Sequence, residues 1–216
     1  MPSNVDGVIM EMHDAFAEVI ESSLLGWTSQ SWQWNRFPIF GSLVSIDMGK
    51  RSLLGLVCQT HTGSMDPTRY PFPFKKTEQE LMAEQPQIFE FLKTTFTCLA
   101  VGYVECNAIN YLLAPEPAHI HAFVRQTPRE IAACFFSSEH FLYMLFGTQG
   151  LHMTVPLDEV LLACLNYQKN LGIMTPERLR KYLQAYAILI GNDYRRLKFF
   201  TQRVQHLAIH ELLPVV

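Results

Sequence analysis

Two pairs of histidines are spaced so that each could share one metal ion. His119 and His121 stand two apart in HIHAFVRQ, a segment that reads as a strand, where alternation would put both imidazoles on one face. No third ligand accompanies them: Glu116 is near but lies beyond Pro117, so ordinary hydrogen-bonded histidines are the simpler reading. His206 and His210 stand four apart on the last expected helix, again within reach of one ion. Glu211 points elsewhere, and Pro214 occupies the place where H-E-x-x-H needs its second histidine, which favours a solvated helix face. The string VSIDMGKRS at 44–52 has a Gly-Lys pair, but Val44 replaces the first glycine of a phosphate-binding loop and Arg51 its hydroxyl residue. A strand-connecting turn is expected there. No G-x-S-x-G elbow occurs, and no cysteine adjoins a basic residue or histidine in sequence. Carboxylate pairs such as Glu78 with Glu80 and Asp158 with Glu159 begin expected helices, where the helix dipole accounts for them. No catalytic residue, metal ligand or cofactor site is assigned from these patterns.

Two other groupings fit binding. On the last helix, Arg195, Lys198 and Arg203 fall opposite the apolar stripe, accompanied by His206, Phe199 and Ile209. A charged outer face is ordinary for a surface helix, but an exposed aromatic among arginines is the composition of a binding hot spot. Arg195, Lys198, Phe199 and Arg203 are therefore the candidate partner-binding residues. Trp27, Trp32 and Trp34 cluster in one expected strand pair. Packing in a barrel interior is the main expectation and a stacking platform for single-stranded nucleic acid the alternative, weakened because only Arg36 is near enough to meet a phosphate.

The elements that position these residues fall into two groups. FAEVIES, WTSQSWQW, SLVSID and SLLGLVCQT read as short strands separated by Gly26, by 36–41 and by the turn Met48-Gly49-Lys50-Arg51. HTGSMDPTRYPFPF should be an irregular connection. Thr77 with Glu80 forms a capping box, Pro86 opens a second short helix over QIFEFLK, and TTFTCLAVGYV returns to strand. Thr127-Pro128-Arg129-Glu130 reads as another capping box, and Ser137 or Ser138 as the cap of EHFLYMLFG. Beyond Pro156, helices are expected over 158–171, 175–190 and from Asp193 to Pro214, stopped in turn by Gly172, Gly191 and that proline. Leu179, Tyr182, Leu183, Tyr186 and Ile190 make one stripe, and Leu197, Phe200, Val204, Leu207 and Ala208 another, so the last two helices should pack as a hairpin.

Composition narrows the class. With 49% hydrophobic and 17% charged residues in 216, the chain can build a sizeable core and is not disordered. The longest uncharged apolar stretch, 141–157, is broken by Gly147, Gln149, Gly150, His152 and Pro156, a poor match to a membrane span. Asp6, Glu11 and Asp14 stand where a secretory signal would be basic and apolar. The five cysteines form no C-x-x-C pair and mostly sit in apolar segments, which reads as buried free thiols of a cytoplasmic protein. Residues 1–150 carry 9 basic and 15 acidic side chains, against 8 and 5 in residues 151–216. That asymmetry points to an interaction surface rather than a general affinity for nucleic acid.

From FAEVIES through LLGLVCQT, then TEQELMAEQPQIFEFLKTTFTCLAVGY and PEPAHIHAFV, the chain resembles the HAS-barrel family in order and spacing, most specifically in EQPQIFEFLKTTF. LDEVLLACLNYQKNLG and GNDYRRLKFF are similar to the helical extension of stand-alone members. That barrel precedes the motor of HerA-type ATPases and is shared by rotary ATP synthase subunits; it implies assembly and docking, and no catalytic residue. The expected protein is thus of α+β class: a small HAS-like β-barrel with inserted helices at residues 8–125 and a helical region at 126–216. Its expected work is non-catalytic, as an adaptor docking on a separate HerA-type ATPase or on its own copies. Two other classes stay open: an enzyme whose site is assembled from distant residues, with His119 and His121 as first suspects, and a nucleic-acid accessory protein using the basic last helix.

Overall fold

The computed structural model describes residues 14–66, 68, 72–147 and 154–207. The strands are β1 (Ala15–Ser23), β2 (Gly26–Ser31), where burial alternates through Trp27, Ser29 and Ser31, β3 (Leu43–Asp47), β4 (Arg51–Ser64), β5 (Leu92–Glu105), β6 (Ala108–Asn110) and β7 (Phe123–Gln126). Antiparallel pairing runs β2-β1-β7-β3-β4-β5-β6, and β2 also pairs with β5, so six strands close into a barrel with β6 added at the side. Closure removes the unpaired edges of those six. Register shifts at Val19/Glu21, Leu54/Gly55 and Val57/Gln59 bend the strands enough to close it. The protein is of α+β class, as expected.

Phe16, Val19, Trp27, Val44, Ile46 and Phe96 are among the residues filling the interior. In β4, however, Leu54, Leu56 and Cys58 belong to a second cluster formed with the helices. Its continuous run SLLGLVC therefore reflects a wall buried on both sides rather than an alternating strand. The helices are α1 (Glu78–Glu84), α2 (Gln87–Glu90), α3 (Arg129–Phe135), α4 (His140–Gly147), α5 (Leu157–Asn170), α6 (Pro176–Ile190) and α7 (Tyr194–His206). Leu43, Leu54, Leu56 and Val101 of the barrel pack with Phe135, Phe141, Leu161 and Tyr186 of α3 to α6, so barrel and helices share one core.

Local chemistry sets most boundaries. The Thr77 hydroxyl accepts from the Glu80 amide while the Glu80 carboxylate accepts from that of Thr77, completing the expected capping box. Thr175 caps α6 with Pro176 at its first position, and Asp193 caps α7. Gly172 (φ 66) and Gly191 (φ 64) end α5 and α6 in the left-handed region. Met48 and Arg51 close a tight turn, Met48 N donating to Arg51 O at 2.8 Å, with Gly49 at φ 81, so 44–52 connects strands as read.

Several expectations shift. β4 continues through His61 to Ser64, paired with Leu92 to Thr95, and takes the first four residues of the segment read as irregular. Phe91, Leu92 and Lys93 leave the expected helix, Phe91 at its C-cap and the other two in β5. Thr127 does not cap α3. Its amide donates to Leu43 O in the barrel, and Pro128 takes the cap position without a side-chain hydrogen bond. Trp32 and Trp34 lie beyond the end of β2. Ala208, Ile209, His210 and Pro214 lie outside the described residues, as does the N-terminal segment carrying Asp6 and Glu11. Among the described residues, no helix is long and apolar enough to cross a membrane.

Candidate functional site

The last helix presents the candidate face, and what fastens it determines which of its residues are available. Phe200 and Val204 are buried, and Phe200 stacks on Tyr186 of α6 with ring centroids 4.0 Å apart. Arg196 grips Asp158 of α5 with both arms, at 2.9 and 2.7 Å, and the Tyr186 hydroxyl donates to the same carboxylate at 3.2 Å. Burial together with Asp158 raises the Tyr186 pKa, and hydrogen bonding to Asp158 raises that of Arg196. Arg203 makes a second two-armed pair with Glu159, one arm at 2.7 Å, holding the Glu159 carboxyl below its ordinary range. At the far end Lys169 of α5 donates to Leu207 O at 2.9 Å, satisfying a terminal carbonyl.

The candidate set is therefore divided. Arg203 fastens α7 to α5 rather than standing free. Arg195 and Lys198 are exposed and have no carboxylate partner among the described residues. Arg195 lies over the Phe199 ring at 5.6 Å from its centroid, and Phe199 is 54% exposed. Two further apolar residues that the helical pattern did not single out are exposed: Tyr194 at the start of α7, 77% exposed, and Ile188 near the end of α6, 72% exposed. Both lie off the stripes that periodicity identifies, and an aromatic at the first position of a capped helix is the only signal that marks Tyr194.

The histidine pairs are not brought together as metal sites. His119 and His121 are in a turn, not a strand, and His121 takes φ 66, which breaks the alternation that would give them a common face. The reason is long-range pairing: His121 N donates to Val19 O at 2.8 Å and Val19 N to Ala122 O, drawing the chain into a bend against β1. The His121 ring lies 3.1 Å from Glu18, whose other oxygen accepts from Trp32 Nε1 at 2.9 Å. No group of three or more His, Cys, Asp or Glu is placed to hold a metal among the described residues. His206 is exposed on α7.

The tryptophans also divide. Trp27 is interior, Trp32 is 44% exposed with its edge against Phe123, and Trp34 stacks on Phe89 of α2 at 5.3 Å. Across the outer wall, Glu21, Thr28, Thr97 and Gln59 form a row on four neighbouring strands. They line an open cleft of about 410 Å³ beside Thr154. Thr154 donates to Gln59 at 2.8 Å and the Thr28 and Thr97 hydroxyls meet at 3.4 Å.

All five cysteines are free, but they are not uniformly buried. Burial raises Cys58 to about 11 and Cys164 to about 12, and pushes Cys98 well up. Cys106, in the β5–β6 turn at φ 50, and Cys134, at the solvent side of α3, are exposed. Native thiol labelling followed by mass spectrometry should therefore modify Cys106 and Cys134 within minutes and leave the other three unreacted until denaturant is added. Equal rates at all five positions would contradict this packing.

No family model matches the chain, and no curated protein matches it.

Proposed function

We propose that the protein is a non-catalytic docking module whose barrel-and-helix body holds the outer face of α7 against a protein partner. One observation carries this reading: exposed Phe199 and Tyr194, with cationic Arg195 and Lys198 beside them, stand on a helix fixed to α5 by two two-armed ion pairs. Aromatic and arginine side chains held in place lose little freedom on binding, which is what hot-spot residues require. Arg196 and Arg203 already hold carboxylates, so the cationic surplus of the helix is smaller than its sequence implies and fits a protein better than a phosphate backbone. The resemblance of the strand-and-insert order to HAS-barrel proteins supports a HerA-type ATPase as the partner, with the protein's own copies as the other occupant.

Arg195→Ala with Lys198→Ala and Phe199→Ala should leave the denaturation midpoint within about 1 kcal/mol of wild type, because none of the three is buried. The same variant should weaken binding of a co-expressed HerA-type ATPase by about 2 kcal/mol or more in calorimetry. Arg203→Ala is the contrasting variant: it removes the hold on Glu159 and should lower the midpoint rather than the affinity. Unchanged affinity in the folded triple variant would sink the reading for this face.

A further inference from the structure

A second surface of opposite character lies in the insert between β4 and β5. Helices α1 and α2 bury no residue, although they span 7 and 4 residues, lengths at which a helix has little stability of its own in water. Around them Phe72 is 74% exposed, Phe91 55% and Met82 44%. The insert, residues 65–91, carries five acidic and three basic side chains, and its charges are not all engaged. Glu80 is used in the cap of α1 and Glu84 pairs with Lys76, whereas Glu78 and Glu90 are exposed and have no cation among the described residues. Opposite in sign and similar in make-up, α7 offers Arg195 and Lys198 beside Phe199 and Tyr194. Glu78 and Glu90 outnumber Lys75, the one exposed insert cation with no carboxylate partner among the described residues, and that negative excess matches two free cations beside exposed aromatics.

We propose that the insert of one protomer docks on the outer face of α7 in a second copy of the chain, so that copies associate head to tail. The inference rests on the docking reading of α7 and names its occupant. The insert is carried on the β4–β5 end of the barrel, where Met65 N donates to Phe91 O at 2.7 Å and Phe89 stacks on Trp34. The face of α7 stands on α5 and α6 instead. Two unlike surfaces on one chain give a heterologous contact, which closes into a ring or continues as a filament rather than stopping at a two-fold dimer. Exposed charge pairs at its rim make it weaken as salt rises.

Sedimentation equilibrium of the full chain tests this. Wild-type protein should show a weight-average mass that rises with concentration and falls back toward 24.8 kDa in high salt. Arg195→Glu with Lys198→Glu makes both faces acidic, and Glu78→Lys with Glu90→Lys makes both basic; each variant alone should lose association at least tenfold. An equimolar mixture should regain it, because every contact in a mixed assembly again joins opposite charges. Melting curves check that each variant is folded; should either fail, the glutamine versions of the same four positions should each still weaken association, and mixing them should restore only the contact between the unchanged insert of one and the unchanged α7 of the other, giving heterodimers and nothing larger. Wild-type protein that stays monomeric to its solubility limit overturns self-association, while affinity for a HerA-type ATPase lost in the α7 triple variant would preserve the docking reading. Association that persists unchanged in both reversed variants overturns the proposed surfaces.

Discussion

Gly41→Ala should lower the stability of the whole protein by about 2–5 kcal/mol, more than a surface loop position would ordinarily cost. Two separate effects combine there. Gly41 has φ +80, a conformation that an L side chain enters at a cost of about 1–2 kcal/mol. A Cβ would also stand 2.5 Å from the carbonyl carbon of Ala163 and 2.6 Å from the amide nitrogen of Cys164, in the backbone of α5. Backbone cannot rotate aside as a side chain can. Relief by moving the loop is opposed on the other side, where Gly41 N donates to Val57 O at 2.8 Å and Val57 N to Ser42 O at 3.0 Å. The helix must therefore shift off the barrel, and overpacking of that kind adds about 1–3 kcal/mol. Urea denaturation followed by circular dichroism measures the loss. Native labelling adds a local readout, because α5 moving away should uncover Cys164, which is fully buried in the wild type. A variant with an unchanged midpoint and a protected Cys164 would mean that barrel and helix do not meet at this point.

How far the chain could be read without its structure depended on whether each signal was local. The capping box at Thr77 and Glu80, the stops at Gly172 and Gly191, the Met48-to-Arg51 turn, the stripe of α6 and that of α7 as far as Leu207 each need only neighbouring residues, and all are found. Readings that needed a distant partner went astray. HIHAFVRQ has the alternation of a strand, yet His119 to Ala122 bend because Val19, about a hundred residues earlier, pairs with them through backbone groups. Thr127-Pro128-Arg129-Glu130 has the composition of a capping box, yet Thr127 is claimed by Leu43. In the candidate face, outward placement of Arg195, Lys198 and Phe199 followed from helical geometry alone. That Arg203 was already engaged did not, since Glu159 stands 44 residues away. The unburied state of α1 and α2 left a faint trace: TEQELMAE lacks the repeating apolar positions by which a helix joins a core.

The interior of the barrel yields the second large effect. Gly55→Val should cost about 2–4 kcal/mol, although Gly55 lies in a β-strand where valine is intrinsically favoured and glycine is not. The Trp27 indole reverses the usual order: a Cβ at Gly55 would lie 2.3 Å from its Cη2 and 2.4 Å from its Cζ2. The indole has little room to retreat, being 3% exposed among Phe16, Val44, Leu53 and Phe96, with the Cys98 Cβ only 3.0 Å from the same added atom. Trp27 Nε1 is buried and has no hydrogen-bond partner among the described residues, so packing and not a polar tether fixes the ring. Trp27→Leu alone should also destabilise, by about 2–4 kcal/mol, through the cavity it leaves. Combined, the two changes should cost less than their sum by at least about 1 kcal/mol, because the valine occupies space the indole has vacated. Chemical denaturation of the four proteins gives the coupling directly, and near-ultraviolet circular dichroism of Gly55→Val reports whether the indole has lost its fixed setting. Strict additivity, or a Gly55→Val protein as stable as wild type, would show that the ring does not lie over Gly55 and that the barrel closes around a different interior.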